Sequence, residues 1–333
     1  MTPRLSAFLS DVTLLCLVTP DVGRAVKSCA DTLGIGPWEV HDFVPPLQKD
    51  TKIAGEALPY TMRVAFAALG GIAWALLEPL SGPTIYANFL KRRGAGVHHA
   101  AFAHAGRSYR EVIREFERRG FPMTQEGHWC THYCYFATGR PTHLTLELIE
   151  SPGAVLPKPL YRYPNGAADR SRGASAGAIL DQTLSLGIVA ADFDATLAAY
   201  ADLGIGPWAV FESPGRALEA AVARRASTSI GSLLWEVIEP SDRPSQFREF
   251  LDRSGGGVQH VGVGSSKHNL EACREALRER GVAVAIEDGS RSCYLDTEAM
   301  IGTRLRLGAP ANLERSVDPA RWYPAAPAPR KPS

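Results

Sequence analysis

The hexapeptide LGIGPW at Leu33–Trp38 recurs unchanged at Leu203–Trp208, an offset of 170 residues. A fixed-period identity of this kind means that one structural unit is built twice, which constrains the fold more than composition can. A second pair of segments follows the same rule. LLEPLSGPTIYANFLKRRGAGVHHAAF (Leu76–Phe102) returns as VIEPSDRPSQFREFLDRSGGGVQHVGV (Val237–Val263). In each copy an apolar strand ends at Glu-Pro and a short amphipathic helix follows, stopped by glycine. A new strand then carries a histidine, His99 or His260. That pair lies 161 residues apart, so the second copy lacks about nine residues from the loop around Val44–Leu58.

The repeat divides the 333-residue chain into a first domain at 1–153, a linker at 154–177, a second domain at 178–312 and a Pro/Ala-rich loose tail at 313–333. Each half divides again. In the first quarter a strand at Val12–Thr19 leads into a helix opened by Asp21, and strands follow at Trp38–Phe43, Met62–Leu69 and Ile72–Glu78. The second quarter has a strand at Val97–Ala103 and a helix at Tyr109–Arg119 whose Ser108 and Glu111 form a capping-box pattern. Strands at Trp129–Ala137 and His143–Glu150 complete it, with one strand of that quarter not legible. The expected class is α+β, built from four β-α-β-β-β modules, two per domain. Trp38 and Trp208 are expected to pack core, the glycines beside them serving tight turns.

Composition excludes several functions. A net charge of +1 with 21% charged residues gives no footprint for nucleic acid or a membrane surface. No apolar run approaches the roughly 20 residues of a membrane helix, and the N-terminus carries strand alternation without a signal-peptide cleavage pattern. Six cysteines without a C-x-x-C pair suit reduced thiols in a cytoplasm. A small-molecule substrate is the expected partner, for a monomer with paired domains or a homodimer.

With E-P-L-x-G before the helix and G-V-H-H opening the next strand, the four-module pattern resembles the vicinal oxygen chelate superfamily. Methylmalonyl-CoA epimerase and glyoxalase I are its most similar members, and the likeness covers nearly the whole chain except linker and tail. The resemblance implies modules whose sheets curl into half-open barrels, each lending two ligands to a divalent metal from its first and last strands. Those positions fall on Leu14 and Ala75 in module one, His99 and Glu147 in module two, Ser185 and Glu236 in module three, and His260 and Arg306 in module four. Neither domain alone is then sound, because Arg306 repels a cation and Leu14 and Ala75 cannot bind one. A swapped arrangement, also implied by the resemblance, pairs modules two and three. It collects His99, Glu147, Glu236 and Ser185 around Zn, Ni, Co, Mn or Fe.

Near this site, His128, Cys130, His132 and Cys134 are expected to alternate along one strand, opposite Trp129, Tyr133 and Tyr135. One of the two faces looks into the cleft, making His132 or Tyr133 a proton shuttle or substrate contact. The implied activity is a metal-dependent isomerase, epimerase or lyase acting through an enolate, with Glu147 or Glu236 moving the proton. The alternatives are an extradiol-type dioxygenase and a metal-free small-molecule binder.

Overall fold

A computed structural model describes residues 9–151, 154–164, 179–212, 221–288, 292–308 and 319–324. Two curled half-barrel sheets, one per half of the chain, carry most of it. The first sheet runs in the order Tyr161–Tyr163, Trp38–Phe43, Thr61–Leu69, Ile72–Ser81, Val12–Val18, Gly96–Phe102, Thr145–Ile149, His132–Phe136, Met123–His128, Lys49–Ile53 and Glu56–Ala57. The second repeats this order from the opposite end, with Gln182–Val189 and Gly257–Gly264 paired at its centre. In each half the first strands of both modules therefore lie side by side and antiparallel, and each is flanked by the last strand of its own module in parallel.

Local sequence explains the elements. Asp21 accepts from the backbone N–H of Arg24 and caps the first helix, while Ser108 and Glu111 make the reciprocal capping box. Both LGIGPW tryptophans are fully buried, and their indoles donate to Ile35 O at 2.6 Å and Ile205 O at 3.0 Å. Gly36 and Gly206, at φ 155° and 143°, supply backbone geometry that a side chain would resist.

Strand alternation sends Leu15, Leu17, Trp74, Leu146 and Leu148 outward from the first sheet, into a core shared with Leu186, Ile188, Trp235 and Val261 of the second. The Trp74 indole donates to Thr183 Oγ1 at 2.9 Å, Tyr200 donates to Thr142 O at 2.8 Å, and the Phe102 and Trp235 rings lie 5.9 Å apart. Each large aromatic ring buried in this way contributes several kcal/mol at ~25 cal/mol per Å² of apolar surface. The shared outer core fixes both sheets and leaves each concave face to its own contents.

Three expectations change. The segment expected as a linker includes the strand Tyr161–Tyr163, antiparallel to Trp38–Val40, and the expected loose tail includes Arg321–Tyr323, paired with Trp208–Val210. The remainder of the expected linker from 165 to 177, and most of the tail, lies outside the described residues. The expected strand Trp129–Ala137 is broken. Met123–His128 and His132–Phe136 form a hairpin turning at Trp129–Thr131, so His128, Cys130, His132 and Cys134 do not share one strand. Met123–His128 is the strand missing from the sequence reading. Among the described residues no helix is long and apolar enough to cross a membrane.

Candidate active site

The concave face of the first sheet is set by the strands Val12–Val18, Gly96–Phe102 and Thr145–Ile149. Leu14 and Cys16, His99 and Ala101, and Glu147 and Ile149 point inward by alternation. Cys16 stands level with His99, and Glu147 with Ala101. A register shift between Cys16 and Leu17 admits one extra residue opposite, so that consecutive His98 and His99 are both buried. His98 packs edge-on against Phe89 at 5.0 Å, and its Nδ1 lies 2.9 Å from Nδ1 of His99. On the cavity side His99 Nε2 is 3.4 Å from Glu147 Oε2.

The electrostatics of this pair are unusual. Burial pushes the Glu147 carboxyl up to about 7, against a hydrogen bond with Tyr135 that works the other way. Burial, and then the neighbouring His98, holds His99 well below the ordinary imidazole value, so it is neutral. The site therefore joins a neutral imidazole to a carboxyl poised between its acid and base forms near neutral pH.

Around the pair is a cavity of about 310 Å³. Phe43 and Trp129 stack at 4.0 Å between ring centroids to form one wall, and Met62, Val64 and Phe66 continue it. Ala154 and Leu156, from the segment expected as linker, also line the cavity. Tyr133 lines it too, but its hydroxyl is engaged. Tyr60 donates to Glu126 O at 2.9 Å, so the 3.0 Å contact between the two hydroxyls leaves Tyr133 as donor, while Gln48 donates to Tyr133 at 2.6 Å. Tyr133 is thus a braced wall residue, which does not match the expected proton shuttle. His132 is exposed, 4.6 Å from the His128 ring across the hairpin, and is not among the residues lining the cavity. The hairpin turn carried it away from the site.

The second concave face is different. Glu236 is buried and held by Arg306 at 3.1 Å and Arg225 at 3.4 Å, with His260 Nε2 at 3.9 Å. Burial opposes its charge, but Arg306, His260 and Arg225 outweigh burial and hold the carboxyl well below the usual carboxylate range. Gly187, level with both Glu236 and His260, leaves no room for a side chain, because the His260 ring fills the space of its Cβ. Ser185 sits on the same face, one inward position away, level with Leu234 and Gly262.

The swapped set of His99, Glu147, Glu236 and Ser185 is accordingly not brought together. Each half closes its own sheet, placing His99 and Glu147 in the first face and Ser185 and Glu236 in the second, where Arg306 neutralises the glutamate. The divalent metal implied by the resemblance needs a third protein ligand beside His99 and Glu147. Among the described residues no group of three or more His, Cys, Asp or Glu is arranged to hold an ion. The donor set does not fit a three-ligand metal centre. Cys16 faces the same cavity, its thiol pushed well above its ordinary value by burial and then by Glu147. The ligand position expected on the first strand falls on Leu14, which does face inward, while Cys16, two residues on and also inward, is the residue level with His99.

Residues 15–138 and 185–294 both match the model of the glyoxalase/bleomycin resistance protein/dioxygenase superfamily. The chain belongs to this superfamily. Among solved structures, a triple mutant of 4-hydroxymandelate synthase from Streptomyces coelicolor is similar at 15% identity, over 91% of this chain and 94% of that one, with a TM-score of 0.63. A halotolerant catechol dioxygenase matches at 12% identity over 90% and 87%, with a TM-score of 0.48. Methylmalonyl-CoA epimerase from Mycobacterium tuberculosis matches at 17% identity over 45% and 90%, with a TM-score of 0.33. At 15% identity the likeness to the first of these bears on the fold alone and leaves the chemistry to the site. No curated protein matches the chain.

Proposed function

We propose that the first half carries a proton-transfer site of the isomerase or epimerase kind, acting on a carbonyl compound through its enolate. The observation that carries this reading is Glu147, a buried carboxyl facing both an apolar cavity and a neutral His99 at 3.4 Å. A base whose pKa lies near the working pH both exists in its ionised form and returns its proton readily. Glu147 Oε2 removes the proton α to the carbonyl, and the C–H electron pair becomes a C=C bond as the C=O π pair moves onto the oxygen. The carboxyl then returns the proton to the enolate, on its other face for epimerisation or on the former carbonyl carbon of a 2-hydroxy ketone for isomerisation. His99 is the neutral hydrogen-bonding group beside it, and the aromatic wall excludes water that would otherwise protonate the enolate at random. Among the described residues His99 and Glu147 have no third metal-ligating partner, and the proton transfer rests on these two side chains.

Proton exchange at the α-carbon of bound carbonyl compounds in D₂O, followed by proton NMR, tests this reading. Enzyme-dependent exchange that disappears in Glu147→Gln supports it. Saturable binding with no exchange would instead indicate a sequestering protein. Oxygen uptake with a catechol, appearing on addition of iron, would indicate ring-cleaving chemistry.

A further inference from the structure

The walls of the first cavity define what can enter it. Among the described residues its lining includes no lysine and no arginine, and the imidazole among them, His99, is neutral. The nearest strand-borne cation in sequence, Arg63, lies between the inward-facing Met62 and Val64, and it pairs with Asp42 at 2.6 Å. Among the described residues the only carboxyl in the lining is Glu147, which in its ionised form would meet an anionic ligand with a charge of the same sign. An ionised carboxylate or phosphate placed here would lose its water and gain no counter-charge. Elsewhere the lining is mostly aromatic and aliphatic, with the uncharged Cys16, Cys130, Thr131 and Ser151 among it and the stacked Phe43–Trp129 pair offering a flat face.

Size adds a second limit. About 310 Å³ is at the low end for small-molecule sites, which run from roughly 300 to 1,000 Å³. We infer that the site takes an uncharged, largely apolar carbonyl compound of about one ring, and rejects 2-oxo acids of the same shape. This rests on reading the cavity as the working site, and it names the substrate class of that site. The polar end of the ligand faces Glu147 and His99, and its ring lies along Phe43 and Trp129. Leu156, half-buried and next to the fully exposed side of its segment at Val155, borders the space. It is a half-buried lining position off the sheet, where a cation could be added without replacing a fully buried core residue.

Calorimetric binding of matched pairs tests the inference without needing turnover. The probes are acetophenone against phenylglyoxylate, and cyclohexyl methyl ketone against cyclohexylglyoxylate, with the full chain. The expected result is that at least one ketone binds about tenfold or more tighter than its oxo acid. Ala75→Phe, which fills the cavity, should abolish ketone binding, and Leu156→Arg should narrow or invert the preference. Circular dichroism confirms that each variant is folded, and Leu156→Arg keeps the test alive should Ala75→Phe not fold. Equal or tighter binding of the oxo acids, failure of every ketone to bind, or an unchanged preference in folded Leu156→Arg would overturn the inference. Ketone binding without α-proton exchange would leave it standing while removing the proposed chemistry, so the two failures are separable.

Discussion

The two halves of this chain share a fold and diverge on their concave faces. In the first, a carboxyl and an imidazole face each other across 3.4 Å beside an apolar cavity. In the second, the corresponding space holds Glu236 clamped by two arginines, with His260 packed into the gap that a glycine leaves at position 187. The difference teaches what keeps such a site available. A buried carboxylate must find a counter-charge or give up its charge. The second half took the first course, which ties the carboxylate into the core. In the first half, no cation among the described residues is paired with Glu147, and burial lifts its pKa.

Four perturbations sharpen or break this contrast. The largest effect is expected from Glu147→Gln, which should lower α-proton exchange by about a hundredfold or more, the scale of losing a general base. Glu236→Gln should stay within about twofold of the parent in the same assay. Comparable losses in both variants would mean that the second face takes part in the chemistry.

Next comes Arg306→Met. It takes away the nearer of two arginines and leaves Glu236 partly stranded, with Arg225 at 3.4 Å and His260 at 3.9 Å, so the cost in urea unfolding should stay below the roughly 3–5 kcal/mol of a fully stranded charge. Adding Glu236→Gln to it should recover much of that loss, since the stranded charge is then gone. No recovery would mean that Arg306 stabilises by packing and not by charge.

The third perturbation is pH. Between the ordinary carboxylate value near 4.3 and about 7, Glu147 is neutral when folded and ionised when unfolded. The folded chain holds the extra proton there, so this group's contribution to stability falls as pH rises through the window, by roughly 3–4 kcal/mol. Glu147→Gln should flatten that fall and be the more stable protein at pH 8. Glu236 has the opposite sign. Its depressed pKa supplies stability that is fully present above the ordinary carboxylate range and is lost as pH falls toward the folded value. A variant Glu147→Gln whose stability still declines through the window would remove Glu147 as its cause.

The smallest effect is expected from Thr183→Val, which removes the acceptor for the Trp74 indole between the two sheets. It should cost about 1–2 kcal/mol by chemical denaturation, leaving exchange and binding in the first cavity unchanged.

Much of the architecture was legible in the sequence because the repeat is close in its motifs. LGIGPW, the Glu-Pro strand ends and the Ser108–Glu111 cap placed most strands and helices within one to three residues. Met123–His128 escaped because a polar strand, reading MTQEGH, lacks the apolar alternation on which such readings rest. That omission extended Trp129–Ala137 through what is a turn, and so assigned His132 to the site. His99 and Glu147 were found as neighbours on adjacent strands. The swapped partner was not, because register within a sheet does not tell which concave face a carboxylate will share. The Arg306 guanidinium beside Glu236 and His260, already visible as an intruding charge, proved to be the partner that closes the second face.

The contrast between the two carboxyl groups is most directly tested by carbon-13 NMR titration of glutamate-labelled protein, with Glu147→Gln and Glu236→Gln used for assignment. One carboxyl resonance, absent from Glu147→Gln, should titrate near pH 7, while that of Glu236 stays ionised through the ordinary carboxylate range and below it. A Glu147 resonance titrating in the ordinary carboxylate range, or a Glu236 resonance titrating with it, would contradict the assignment of one poised and one locked site.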